Sequence, residues 1–103
     1  PHSVTVKYTK IAHEKDINSI AVSPNDRLFV TGSQDKTAKL WNSLDGQQMG
    51  VFKGHKRGIW SVAFSTVDQV VATSSADKTI KIWSITDFTC LRVYYFFLFD
   101  LII

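Results

Sequence analysis

The sequence predicts an all-β chain made of two copies of one four-stranded unit, and three observations carry that expectation. Shifting the chain by 42 positions lays His13 on His55, Ile17 on Ile59, Ser19 on Ser61, Ala21 on Ala63, Asp26 on Asp68 and Thr31 on Thr73. The end of the unit matches more densely: Ser33, Asp35, Lys36, Thr37, Lys39 and Trp41 fall on Ser75, Asp77, Lys78, Thr79, Lys81 and Trp83. Such a period belongs to stacked repeat architectures. Apolar residues alternate along INSIAV and IWSVAF, as in strands with one face toward a core. No stretch of about twelve residues carries a helical stripe.

Each unit then resolves into four strands in order. INSIAV and IWSVAF open the units, and SPND and STVD follow as turns, with Pro24 and Asp26 in the first. RLFVTGS and QVVATSS mix apolar and small residues, as a strand covered on both faces should. QDKT and ADKT are tight turns in which an aspartate can bond backbone amides, and AKLW and IKIW resume the β pattern. SLDGQQ and SITDFT are loops, the first with Gly46 and the second without a glycine; MGVF and CLRVYY supply the fourth strands. One such sheet cannot cover both of its faces, so these units stack, and roughly three or more are needed for stability.

A composition that is 45% hydrophobic and 20% charged suits a packed chain, and the net charge of +3 is spread without a run of like charges. The one cysteine, Cys90, cannot form an internal disulfide, and no charged-then-apolar leader opens the chain. Together they predict a reducing, intracellular setting. The chain begins at Pro1 and not at a methionine, so its natural amino terminus is expected to be missing.

A Gly-His dipeptide (Gly54, His55), an SP.D turn, a D.T turn and a terminal KLW or KIW on a spacing near forty resemble WD repeats, the blades of a β-propeller. Two signature positions depart from the pattern: Ala12 stands where the family prefers Gly, and Asn42 and Ser84 stand where the closing Asp is usual. The resemblance implies a propeller fragment of two four-stranded antiparallel blades plus an edge strand of a preceding blade. It divides the chain into 1–11 (the outer strand, SVTVKYTKI), 12–53, 54–95 and a non-blade hydrophobic tail, 96–103. That tail continues as YYFFLFDLII where a new Gly-His should begin. It is too short to span a bilayer and carries Asp100; it is read as sequence diverted at a splice boundary near Leu91 to Val93, and it is β-prone enough to drive self-association if exposed.

Outside the signatures, EKDIN, DQVVATSSAD and DFTC are similar to nucleolar family members of the small-subunit processome. The resemblance implies a non-catalytic scaffold in small-subunit ribosomal RNA processing and ribosome biogenesis, located in the nucleus and nucleolus. Its partners would be proteins of a large ribonucleoprotein assembly, with direct or indirect contact to precursor ribosomal RNA or small nucleolar RNA, and with no membrane, cofactor or small-molecule substrate. The alternative is a peptide-reading propeller such as a ubiquitin-ligase substrate receptor.

Each unit holds a serine, a histidine and an aspartate, the residue types of a hydrolase triad. Catalysis would need an exposed nucleophile and oxyanion donors, and two identical sets argue for architecture instead. The resemblance implies buried tetrads, His13, Ser33, Asp35 and Trp41, then His55, Ser75, Asp77 and Trp83, in which Asp orients His, His reaches Ser and Ser reaches the indole N–H. No His or Cys pair stands at metal-ligand spacing, and no loop has Walker spacing. Lys36, Lys39, Lys78 and Lys81 recur with the repeat and could line a basic track for phosphates, although solvated strand edges, where lysine blocks stray pairing, explain them more simply. By the family's top-surface positions, partner contacts are expected at Asp16, Asn18 and Gln34 in one blade and Gly58, Trp60 and Ala76 in the next. Lys56 and Arg57 join them beside the aromatic, because Arg and aromatic residues are enriched at partner surfaces.

Overall fold

A computed structural model describes residues 8–96. Eight strands follow one another: β1 (Ile17–Val22), β2 (Leu28–Ser33), β3 (Thr37–Asn42), β4 (Gln48–Lys53), β5 (Ile59–Phe64), β6 (Val70–Ser75), β7 (Thr79–Ser84) and β8 (Cys90–Tyr95). They form two antiparallel meanders, β1-β2-β3-β4 and β5-β6-β7-β8. The described residues contain no helix. The expected outer strand over 1–11 falls largely outside the described residues, as does the tail from Phe97 onward. Within the described part, Tyr8 donates its hydroxyl to Ser43 O at 3.1 Å, and β8 pairs with β7 as far as Tyr95.

The turns work as their residues dictate. Asp26 has a positive φ of 62°, and the Ser23 hydroxyl holds that turn by donating to Asn25 Oδ1 at 2.7 Å while accepting from Leu28 N at 3.0 Å. Gly46, at φ 71°, closes the β3–β4 loop. Phe88 stands at the equivalent place in the second unit with φ 62°, a conformation that is unfavourable for a bulky side chain. Packing offsets that strain: the Phe88 ring lies 5.3 Å from Phe52, and a Cβ on Gly50 would overlap it.

The core lies between the two sheets. Val30, Ala38, Leu40 and Phe52 project from the back of the first sheet, and Ile59, Val62, Val71 and Trp83 from the front of the second. The register explains the sidedness: Gly32, Ala38 and Phe52 lie in one row across β2, β3 and β4, and Val30, Leu40 and Gly50 in the next. Phe52 meets the Trp83 ring at 5.5 Å. Polar contacts add to the apolar seam, since Asn18 Nδ2 donates to Ile59 O at 2.9 Å and Val62 N donates to Ser19 Oγ at 3.2 Å.

Closeness of approach depends on Gly32. A Cβ there would lie 2.7 Å from Ile59 Cγ2 and 2.8 Å from Val62 Cγ1, both on the facing β5. Gly32→Ala should therefore force the sheets apart and destabilise the pair by roughly 1–3 kcal/mol through overpacking. Thermal melts followed by tryptophan fluorescence check this, and an unchanged midpoint contradicts it.

Candidate functional site

The two histidines sit just ahead of their sheets, buried, and each is held by three side chains. His55 Nδ1 lies 2.9 Å from Asp77 Oδ2 and 3.2 Å from Thr79 Oγ1, and its Nε2 lies 2.6 Å from Thr73 Oγ1. Trp83 Nε1 donates to the same Thr73 oxygen at 2.8 Å. The first unit repeats the arrangement: His13 Nδ1 to Asp35 Oδ2 at 2.8 Å, His13 Nε2 to Thr31 Oγ1 at 2.7 Å, and Trp41 Nε1 to Thr31 Oγ1 at 2.9 Å.

The structure corrects the sequence expectation at the third member. Thr31 and Thr73, not Ser33 and Ser75, bridge imidazole and indole. Ser75 Oγ donates to Gly58 O at 2.9 Å, with Arg57 O at 3.1 Å, and accepts from Asp77 N at 3.1 Å. Ser33 Oγ does the same with Asp16 O at 2.9 Å, Lys15 O at 3.2 Å and Asp35 N at 3.0 Å. The physical reason is register. Phe29 pairs with Trp41 and Thr31 with Lys39, so Thr31 lies one diagonal step from the indole, while Ser33 sits further along, against the hairpin turn. The serines tie the turn to the loop before β1 or β5. Thr37 and Thr79, also absent from the expected set, donate to Asp35 Oδ1 at 2.6 Å and to Asp77 Oδ1. Thr31 and Thr37 both recur under the repeat shift, which is the signal that could have found them.

Donor and acceptor capacity fixes the tautomer of the neutral imidazole. An indole N–H only donates and a carboxylate only accepts, so His55 carries its proton on Nδ1, toward Asp77, and Nε2 receives the Thr73 hydroxyl proton. Every side-chain polar atom buried among the described residues has a partner. Burial pushes the His55 pKa below its usual 6.5, against the pull of Asp77. For Asp35, burial alone would raise the carboxyl, but hydrogen bonds from Thr37 and His13 bring it to about 2. Asp77 is held still lower: burial is outweighed by hydrogen bonds from Thr79, the Lys56 amide and His55.

The expected surface residues divide into two groups. Asp16, Asn18, Gln34 and Gly58 meet across the seam: Asn18 Nδ2 donates to Gln34 Oε1 at 3.1 Å, and Gln34 N to Asp16 O at 2.9 Å. The Gln34 amide covers buried Gly58, where a Cβ would come within 2.5 Å of Gln34 Oε1. Asn18 and Gln34 thus clamp one sheet to the next. Lys56, Arg57 and Trp60 are exposed around the start of β5, and Ala76 is half-buried in the turn after β6. The recurrent lysines do not form one kind of feature. Lys39 Nζ donates to Ala12 O at 2.8 Å and Lys81 Nζ to Gly54 O at 3.0 Å, whereas Lys36 and Lys78 are exposed turn residues with positive φ.

Two stacked four-stranded meanders, each with a buried imidazole, carboxylate, hydroxyl and indole, define a propeller-blade protein. The family model "WD domain, G-beta repeat" matches residues 5–42 and 46–84, and the chain belongs to that family. Among curated proteins it is similar to "Transducin beta-like protein 3" of Mus musculus, at 56% identity over 55 residues, which is 53% of this chain and 7% of that protein. It is also similar to "U3 small nucleolar RNA-associated protein 13" of Saccharomyces cerevisiae, at 51% over 49 residues, 48% of this chain and 6% of that protein. A more distant likeness, 34% over 44 residues, is to "Dynein assembly factor with WD repeat domains 1" of Macaca fascicularis, over 43% of this chain and 11% of that protein. The matches span about a tenth or less of these relatives' length.

The geometry separates the two hydroxyls experimentally. Thr73→Val leaves both His55 Nε2 and the Trp83 N–H without partners, a cost of roughly 2–5 kcal/mol for two orphaned groups. Ser75→Ala should cost less, about 1–2 kcal/mol, because it strands one donor, the Asp77 amide, while Gly58 O still accepts from Ala76 N at 3.1 Å. Denaturant melts of the two variants give the comparison, and a larger loss from Ser75→Ala reverses the assignment.

A pH titration tests the protonation states. A depressed histidine pKa means that the unfolded state takes up the proton first, so His55's contribution is complete above its unfolded value of 6.5 and declines as pH falls below it. Asp35's contribution is complete above its unfolded value of 3.8 and is lost as pH falls toward about 2. The melting temperature should therefore drop in two stages on acidification, once below the histidine value and again below the carboxylate value. A single acid transition contradicts the histidine assignment.

Proposed function

We propose that this chain is part of a non-catalytic scaffold in small-subunit ribosomal RNA processing, acting in the nucleolus. The observation that carries the proposal is the 51% identity to a yeast protein whose name associates it with U3 small nucleolar RNA, together with the 56% identity to the mouse transducin beta-like protein. The geometry supports a holding role. Both triad-like serines are buried and donate to backbone carbonyls, and both imidazoles are enclosed, so neither set offers a nucleophile to a substrate.

The mechanism is rigid display. The Asp16–Asn18–Gln34 clamp fixes the two sheets relative to each other, and the side chains beside it are presented at set positions. Lys56 and Arg57 supply positive charge for phosphate or acidic side chains, and Trp60 supplies an aromatic face. Partners are proteins of a ribonucleoprotein assembly and, through them or directly, precursor ribosomal RNA or small nucleolar RNA.

The test is affinity purification of the tagged chain from cells, with RNA sequencing and protein identification. U3 RNA and small-subunit precursor RNA should be enriched, and replacing Lys56 and Arg57 with Glu should reduce recovery without moving the melting temperature. Recovery of ubiquitin-ligase adaptors without these RNAs would replace this reading with the peptide-receptor one.

A further inference from the structure

We propose that the groove between the β1–β2 and β5–β6 turns binds a peptide segment of a partner protein in which an apolar side chain is flanked by arginine or lysine. The inference goes beyond the ribosomal reading and does not depend on it, because the groove lies at the end of the sheets opposite Lys56 and Arg57. Each meander reverses direction at every turn. The turns after β1, β3, β5 and β7 therefore share one end, and those after β2 and β6 share the other with the histidines.

Shape and lining favour an apolar anchor. The groove holds about 390 Å³, at the lower end of the range for ligand pockets, and its two walls come from one turn of each sheet. Leu28, Phe64 and Ile85 line it, half-buried and packed against the core. Pro24 and Val67 line it from the turns. The Val67 side chain plays no part in closing its own turn. The residue 42 positions earlier, Asn25, closes the first turn by accepting from Ser23 Oγ at 2.7 Å and from Arg27 N at 3.0 Å. In the second turn Ser65 Oγ takes that part, accepting from Val67 N at 3.2 Å and from Asp68 N at 3.0 Å. Val67 is left 88% exposed on the lip of the groove, an apolar, β-branched residue where turn residues are ordinarily polar or small.

Charge decides what kind of segment carries that anchor. The four turns at this end hold Asp26, Asp45, Asp68 and Asp87, all exposed, against one base, Arg27. Asp68 lines the groove, and Asp26 follows Asn25, which also lines it. Asp45 and Asp87 each give an oxygen to their own loop, accepting from Gln47 N at 2.9 Å and from Thr89 N at 3.2 Å. The ion pairs among the described residues are His13–Asp35 and His55–Asp77 alone, so neither Asp26 nor Asp68 is paired with a cation there. A segment with basic residues on either side of an apolar one complements both features: the apolar side chain anchors, and the bases set orientation and partner choice. Nucleic acid needs positive charge and is repelled from this end.

Fluorescence anisotropy of labelled pentapeptides titrated with the full chain tests the proposal, with far-UV circular dichroism as the folding check. A leucine flanked by two arginines on each side should bind. Serine in place of that leucine should weaken binding about tenfold, the scale of one buried apolar side chain, and glutamates in place of the arginines should abolish it. Val67→Asn, which installs the residue that the first unit carries at this place, should also weaken it about tenfold. Asp68→Lys should weaken the arginine peptide and bind the glutamate peptide more tightly than the wild type does, a gain that a misfolded variant cannot produce. A photoreactive leucine in the peptide should cross-link to residues 23–28 or 64–69. A wild type that binds no arginine peptide overturns the proposal. So do equal affinities for the leucine and serine peptides, preference for the glutamate peptide, displacement of the peptide by an oligouridine, or cross-links confined to other residues, since the occupant is then of another kind or sits elsewhere.

Discussion

Each sheet depends on one threonine hydroxyl. Thr73 Oγ1 accepts from the Trp83 indole and gives its single proton to His55 Nε2, and Thr31 does the same for Trp41 and His13. The carboxylate only accepts, so the nitrogen facing it carries a proton, and in the neutral imidazole the other nitrogen takes the hydroxyl proton. The aspartate then fixes the turn, accepting from the Thr79 amide at 2.9 Å and from the Lys56 amide at 2.9 Å. A chain of hydrogen bonds thus runs from the sheet centre to the loop ahead of its first strand, and each bond polarises the next in a buried setting.

This internal order allows two small sheets to face each other closely. Neither sheet alone covers its apolar face, and the seam between them is where Phe52, Ile59 and Trp83 lose contact with water. Glycine at positions 32 and 50 sets how near the backbones come, and Phe88 accepts an unfavourable backbone angle to fill the space that Gly50 leaves. The Asn18–Gln34 clamp lies over the same seam. Packing, polar contacts and the position of the exposed Lys56, Arg57 and Trp60 are therefore consequences of a single joint.

Much of this was legible in the sequence because it repeats. The eight strands follow the alternation and the turn residues, and the shift of 42 identifies which residues are equivalent. The chemistry of the tetrad was legible as a set of residue types but not as a wiring. Thr31 and Ser33 are two residues apart on one strand, both carry hydroxyls, and only the register against Trp41 decides which one reaches the imidazole. The roles of Asn18 and Gln34 were hidden for a related reason: their partners are each other and a carbonyl in the following sheet, and no local pattern records a contact between sheets. The packing of Gly50 under the Phe88 ring was hidden for the same reason, since Phe88 belongs to a loop of the following sheet.

The shared hydroxyl also constrains how such a unit can drift over generations. Changing Trp83 alone strands an acceptor, changing His55 alone strands the Thr73 donor and removes one of the Asp77 partners, and changing Thr73 alone strands both neighbours. The three positions can be exchanged without stranding a partner only together. The exposed Lys56, Arg57 and Trp60 carry no such mutual dependence, so each can change alone without disturbing the interior.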